Sequence, residues 1–251
     1  MGFAVFDGYH IEATVLIWGA VIGTFLFFSF DSGTDHKLTQ ELASIQYQPN
    51  GTSSLETGVS EARRTLDVQV ANLNDIDTKA IRILRINVLL IGLLLSALTF
   101  SANNPKVSFD TLLNRYLGTG ILFLISSTAT AGLTYTASDL RAGMSKPNLI
   151  TMLEEDLVDK ELNLILSKSY AKWIRKNQSA EILNSFYSTS TILLLIYSVT
   201  YLALGVYHGL VDAVSVSLVG TSSVALYIIT LASGYPSQIQ RVIDEVDFRI
   251  E

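Results

Sequence analysis

The chain has 251 residues, of which 49% are hydrophobic and only 16% charged, with a net charge of −6, a mean hydropathy of +0.39 and no cysteine. That balance excludes an ordinary soluble domain, offers no basic surface for a nucleic-acid partner, and rules out disulfides, thiolate metal sites and cysteine nucleophiles. The excess of Asp over Glu fits a salt-adapted, archaeal cytoplasm.

Five apolar runs carry the hydropathy: residues 13–30, 86–102, 116–136, 187–207 and 211–232. Each is close to the ~17 to 25 residues that cross a hydrocarbon core, and Asp212 is the only ionisable Asp, Glu, Lys or Arg within them. The predicted fold is all-α, a polytopic transmembrane bundle of five spans with amphipathic and coiled-coil helices on the cytoplasmic side.

The first segment, residues 1–30, reads as a retained span. Acids in "DGYHIEA" stand where a cleavable signal would need a basic stretch. Phe6 occupies the position where myristoylation at Gly2 requires Ser or Thr.

Residues 31–85 form a cytoplasmic region. In "DSGTDHKLTQELASIQYQPNGTSS" the Pro-Asn-Gly turn separates a short helix after Thr39 from a long one. Along the long one, Leu55, Val59, Ala62, Leu66, Gln69, Leu73, Ile76, Ala80 and Ile83 alternate by four and three, and Asn87 and Leu90 carry the spacing into the second run. This is the heptad pattern of a coiled-coil seam. Leu66, Gln69, Leu73 and Asn87 are therefore candidates for an oligomer seam, the two amides for fixing its register. Packing on the second cytoplasmic helix of the same chain is the equal alternative.

Residues 86–136 form a transmembrane hairpin whose return span holds "ILFLISSTATAGLTYTAS". Thr119, Ser126, Thr130 and Thr134 share one helical face, and Ser127, Ala131, Thr134 and Ser138 a neighbouring one. Small hydroxylated residues let helices approach closely. They also suit a hydroxyl-lined pore, since no charged selectivity ring is present. The fifth run repeats the composition with Ser215, Ser217, Gly220, Thr221, Ser222 and Ser223.

Residues 137–186 form a second cytoplasmic helix. Asn148 or Thr151 would cap it, Glu154, Glu155 and Asp156 suit its first turns, and Lys168, Lys172, Arg175 and Lys176 with Trp173 would lie at the anionic inner leaflet. A phosphate site could use the same cations, but no Walker-type loop accompanies them. Residues 187–232 form a second hairpin. Residues 233–251 end in an amphipathic helix with Ile239, Val242, Ile243, Val246 and Ile250 on one face.

Six cationic side chains lie between the first and second runs, seven between the third and fourth, and two after the fifth; only Lys106 and Arg115 fall on the other side. The positive-inside rule then places the N-terminus outside and the C-terminus in the cytoplasm of a multi-pass cell-membrane protein. The sequons at Asn50 and Asn177 fall on the cytoplasmic side and read as chance matches. The units from about Leu55 to Thr136 and Leu149 to Ala232 share an order of helix, span, outer loop and span, without residue-level identity.

Chemistry is scarce. His10, His36 and His208 are scattered, no GxSxG, GxGxxG or HExxH occurs, and the span interiors hold no ionisable group to bind a driving ion. No enzyme, metal or cofactor is expected. A passive or gated pore built from copies of the chain is the leading expectation, in contact with membrane lipids. The alternative is a non-conducting scaffold or sensor whose cytoplasmic helices bind a partner protein.

The unit from about Asp77 to Lys176, containing "DIDTKAIRILRINVLLIGLLLSALTF", resembles the SLATT-type membrane effectors of prokaryotic conflict systems in layout. The resemblance implies a transmembrane hairpin with flanking cytoplasmic helices that acts as a membrane-disrupting pore. This chain adds one expected span before the hairpin and two after it.

Overall fold

The computed structural model describes residues 36–45, 53–103, 112–136 and 159–250, together with residues 150 and 154. Its elements are all α-helices: α1 (His36–Ser44), α2 (Ser53–Asn103), α3 (Arg115–Thr136), α4 (Asp159–Leu210), α5 (Val216–Ala232) and α6 (Tyr235–Ile250). The expected first span, the Pro-Asn-Gly turn, Ser138 and the caps at Asn148 and Thr151 lie outside the described residues.

Two helices dominate. α2 has 51 residues and α4 has 52, and neither contains a proline. At 1.5 Å per residue each is about 75 to 80 Å long, well over twice the ~30 Å hydrocarbon thickness. In each, a charged half continues without a break into an apolar half, as the heptad pattern predicts for α2.

Three described helices, α2, α3 and α4, are long and apolar enough to cross a membrane, or four spans result if α5 and α6 count as one bent pair. The second, third and fourth expected runs lie inside α2, α3 and α4. The fifth differs from expectation. α5 starts only after the Ser215 cap, has 17 residues, about 25 Å, and ends where Ser233 caps it and Gly234 adopts φ +71°, a left-handed conformation that side chains disfavour, so it counts as a span only together with α6. The chain turns by 51° there and continues as α6. At its other end, Ser215 Oγ accepts from the Leu218 amide, closing the first turn.

α2 and α4 run parallel, and α3 runs antiparallel to both. The directions follow from cross-helix hydrogen bonds: Gln69 to Ile174 and Asn87 through Ser127 to Thr191 keep nearly the same offset along α2 and α4. α5 lies beside α3 and α4, where Leu226 joins Tyr116, Phe123, Leu194, Tyr201 and Leu204. α6 folds back along the charged half of α4, with Tyr235 and Val242 packed on Phe186, Tyr187 and Leu193.

Candidate functional site, a polar seam through three helices

The interface among α2, α3 and α4 is organised in steps of seven residues. α4 contributes Asn177, Asn184, Thr191, Ser198 and Gly205, all buried. α2 contributes Leu66, Leu73, Ala80 and Asn87, also buried, then half-buried Leu94 and buried Ser101, and α3 contributes Gly120, Ser127 and Thr134. Such a repeat keeps one stripe of each helix facing its neighbours over a long contact.

At the centre, the Asn87 amide donates to Ser127 Oγ at 2.9 Å and Ser127 donates to the Thr191 carbonyl at 3.0 Å. All three residues are fully buried, so one hydrogen-bonded chain ties three helices. Seven residues toward the charged halves lie Ala80, Thr134 and Asn184; seven the other way, Ser198 Oγ donates to the Gly120 carbonyl at 2.8 Å. Asn87 Oδ1 and Gln69 Oε1 are buried without a hydrogen-bond partner among the described residues. A buried amide oxygen without a partner costs free energy, so these two amides do not add stability through that atom.

The far end of the seam is the tightest. A β-carbon on Gly205 would stand 2.6 Å from the Leu117 amide nitrogen, and one on Gly120 would stand 2.7 Å from that of Leu202. Asn114 sits at the start of α3, where its Oδ1 accepts from the Tyr116 and Leu117 amides at 3.1 Å and its Nδ2 donates to the Gly205 carbonyl at 2.8 Å. One side chain thus caps α3 and fastens it to α4. Asn114→Ala removes both functions and is expected to cost about 1 to 3 kcal/mol, read as a lower unfolding midpoint in detergent. Asn103→Ala, which removes a bond from the Asn103 amide to the Thr99 carbonyl of its own helix, is the exposed comparison and should shift the midpoint little.

The hydroxyl residues expected to face a pore or a neighbour divide into two groups. On α3, Thr119, Thr130 and Thr134 are buried, and their hydroxyls donate to Arg115, Ser126 and Thr130 of the same helix. Ser126 is half-buried. This face is helix packing within one chain. On α5, Ser215 is the N-cap and Ser222 is half-buried, while Ser217, Gly220, Thr221 and Ser223 are exposed. Thr221 and Ser223 likewise bond back to their own helix.

The candidate oligomer seam has a different location from the intermolecular reading. Leu66, Gln69, Leu73 and Asn87 are buried inside one chain, with Gln69 Nε2 donating to the Ile174 carbonyl at 3.1 Å. The long parallel contact with α4 occupies this stripe, so it is not free to meet the same stripe on a second copy.

The basic row lies well before the apolar run of the same helix. Because α4 is continuous, Lys176 and Lys168 lie about 16 and 28 Å along the axis from Tyr187, where the apolar run begins. Headgroups add only about 5 to 8 Å on each side of the hydrocarbon. Trp173 packs on Tyr170, ring centroids 5.4 Å apart, on the same charged half. Lys172 is exposed, whereas Arg175 is held by α6: its guanidinium makes contacts of 2.9 and 3.1 Å with the two oxygens of Glu245. The Glu245 side chain is 6% exposed and also accepts from Ser179 Oγ. The amphipathic α6 therefore covers part of the basic row.

The α4 ladder from Asn177 to Gly205 escapes a reading that follows only apolar periodicity. Its signal is the sevenfold recurrence of amide, hydroxyl and glycine on one helix. Glu245 is expected on the polar face of the C-terminal helix, opposite Ile239 and Val242, yet it is buried against α4, because Arg175 and Ser179 supply its partners there. Among the described residues, no three His, Asp or Glu side chains gather as a metal site. Compared with protein-family models, curated proteins and solved structures, the chain matches none.

Proposed function

We propose that the chain is a membrane-embedded helical scaffold whose long α2 and α4 helices couple a charged stalk, on the cytoplasmic side, to the spanning bundle. The observation that carries this reading is the unbroken heptad contact of α2 with α4, buried from Leu66 to Asn87 and locked by the Asn87–Ser127–Thr191 chain. A bundle whose small residues are consumed in packing behaves as one body, so a partner or second copy engaged by the stalk displaces the spans with it. The exposed basic and acidic side chains of the stalk, Lys172 and Asp75 among them, suit a soluble protein partner.

A homo-oligomeric passive pore is the second reading, favoured by α5. That helix buries only Leu226 and leaves Ser217, Gly220 and Thr221 open, so a ring of α5 helices would line a hydroxylated path. A pore also agrees with the SLATT-type resemblance.

Release of potassium and of a small dye from liposomes carrying the purified full chain separates the two. The scaffold reading expects release no faster than from empty liposomes, with the oligomer intact. Release that drops in Ser217→Leu and Thr221→Leu, yet survives Thr130→Val and Thr134→Val, would replace it with an α5-lined pore.

A further inference from the structure

α5 buries little of its own surface, whereas α6 is firmly seated on α4. Of its 17 residues Leu226 is buried, and Thr230 Oγ1 lies 3.1 Å from the Tyr197 hydroxyl of α4. Val224, Tyr227 and Ile228 are each more than half exposed. α6, separated from the Ser233 cap by Gly234 alone, is seated differently. The Tyr235 ring stacks on Phe186 at 5.1 Å, the Tyr235 hydroxyl lies 3.2 Å from Ser190 Oγ, Val242 is buried, and Glu245 is enclosed by Arg175 and Ser179. The two helices meet at Gly234 with no loop to decouple them.

We infer that the α4–α6 clasp, fastened by the Arg175–Glu245 pair, is a conformational device that holds α5 against the bundle, so that opening the clasp in the stalk releases α5 in the membrane. The geometry supports this in two ways. The pair is bidentate, with the Glu245 side chain 6% and the Arg175 side chain 22% exposed, so losing one charge removes the close counter-charge of a buried or half-buried partner, which favours an open clasp. The bend is short, so a displacement of α6 reaches α5 directly, as a pivot does. A cytoplasmic ligand that competes for Arg175 or Glu245 would then act on the membrane helix without touching it. The device stands whether or not the assembly conducts.

The chain has no cysteine, which makes the test direct: pairs of cysteines carrying nitroxide labels can be placed on the full-length protein without removing native thiols. Three pairs at exposed positions report separately: Val224 with Ile125 for α5 against α3, Ile243 with Lys172 for α6 against α4, and Leu93 with Ile125 for the α2–α3 fold. In Glu245→Gln, the α6–α4 and α5–α3 distance distributions should both broaden toward longer values while the α2–α3 distribution stays as in the parent. The charge-swapped double variant Arg175→Glu with Glu245→Arg should narrow both again, which a merely misfolded single variant would not predict. An α5–α3 distribution that stays narrow while the α6–α4 pair broadens overturns the proposal, because α5 would then be held by its own contacts. Unchanged distributions in both pairs overturn it as well, because the ion pair would not be what closes the clasp.

Discussion

Gly205→Leu is expected to leave no correctly folded protein, and Gly205→Ala alone to destabilise the α3–α4 pair by about 1 to 3 kcal/mol. The β-carbon at this position would meet the backbone of α3 at Leu117, with contacts of 2.6 Å to the amide nitrogen and 2.8 Å to Cα. A flexible side chain can turn away from such a contact, but backbone cannot, so the helices must separate. Separation would also break the Asn114 bond to the Gly205 carbonyl and strain the Ser198 bond to Gly120. The protein carries its own controls. Gly132 and Gly220 are helical glycines with nothing within 4 Å of an added β-carbon, so alanine there is expected to be neutral or stabilising by up to about 1 kcal/mol. Unfolding titrations of the three alanine variants in one detergent decide the matter. A wild-type midpoint for Gly205→Ala would mean that the helices are not in backbone contact at this crossing.

Leu73→Ala is the second large effect. Leu73 is fully buried in the seam between the charged halves of α2 and α4, and removing its isobutyl group leaves a cavity worth about 2 to 5 kcal/mol. The seam is intramolecular, so the loss should appear as a lower unfolding midpoint at unchanged oligomeric state. Val68, more than half exposed on the same helix, is the comparison, and its alanine variant should lose little. Light scattering of the detergent complex before and after the substitution provides the second readout. Dissociation of an oligomer without a change in chain stability would relocate Leu73 to a contact between copies.

The α-helical class, the long α2 and the buried stripe from Leu55 to Asn87 were legible because a heptad repeat is a direct record of which residues avoid water. What the stripe packs against was not, since an apolar face fits a partner helix on the same chain as well as one on another copy. The same ambiguity affected Thr130 and Thr134: a hydroxyl satisfied by its own i−4 carbonyl tolerates both a dry and a wet neighbour. The basic row was expected at the headgroup region as the C-terminal end of a separate cytoplasmic helix, whereas Lys168 to Lys176 lie within the unbroken α4. No charge pattern shows how far a proline-free helix extends before entering the membrane. Arg175 and Glu245 are 70 residues apart, and their pairing depends on the turn at Gly234, which a sequence marks only as a break.

The parallel arrangement of α2 and α4 also bears on how the protein is made. Asn87 and Ser127 belong to one hairpin and can pair as soon as both spans have left the ribosome, but Thr191 is synthesised 64 residues after Ser127. At ordinary translation rates of about 5 to 20 residues per second, the first hairpin waits in the bilayer for about 3 to 13 s with the Ser127 hydroxyl lacking its carbonyl acceptor. During that interval the heptad stripe of α2 has no α4 to cover it, and the nascent chain is exposed to its neighbours in the membrane. Synthesis of α4 then covers the stripe progressively from its N-terminal end, and the Asn87–Ser127 pair gains its Thr191 acceptor last.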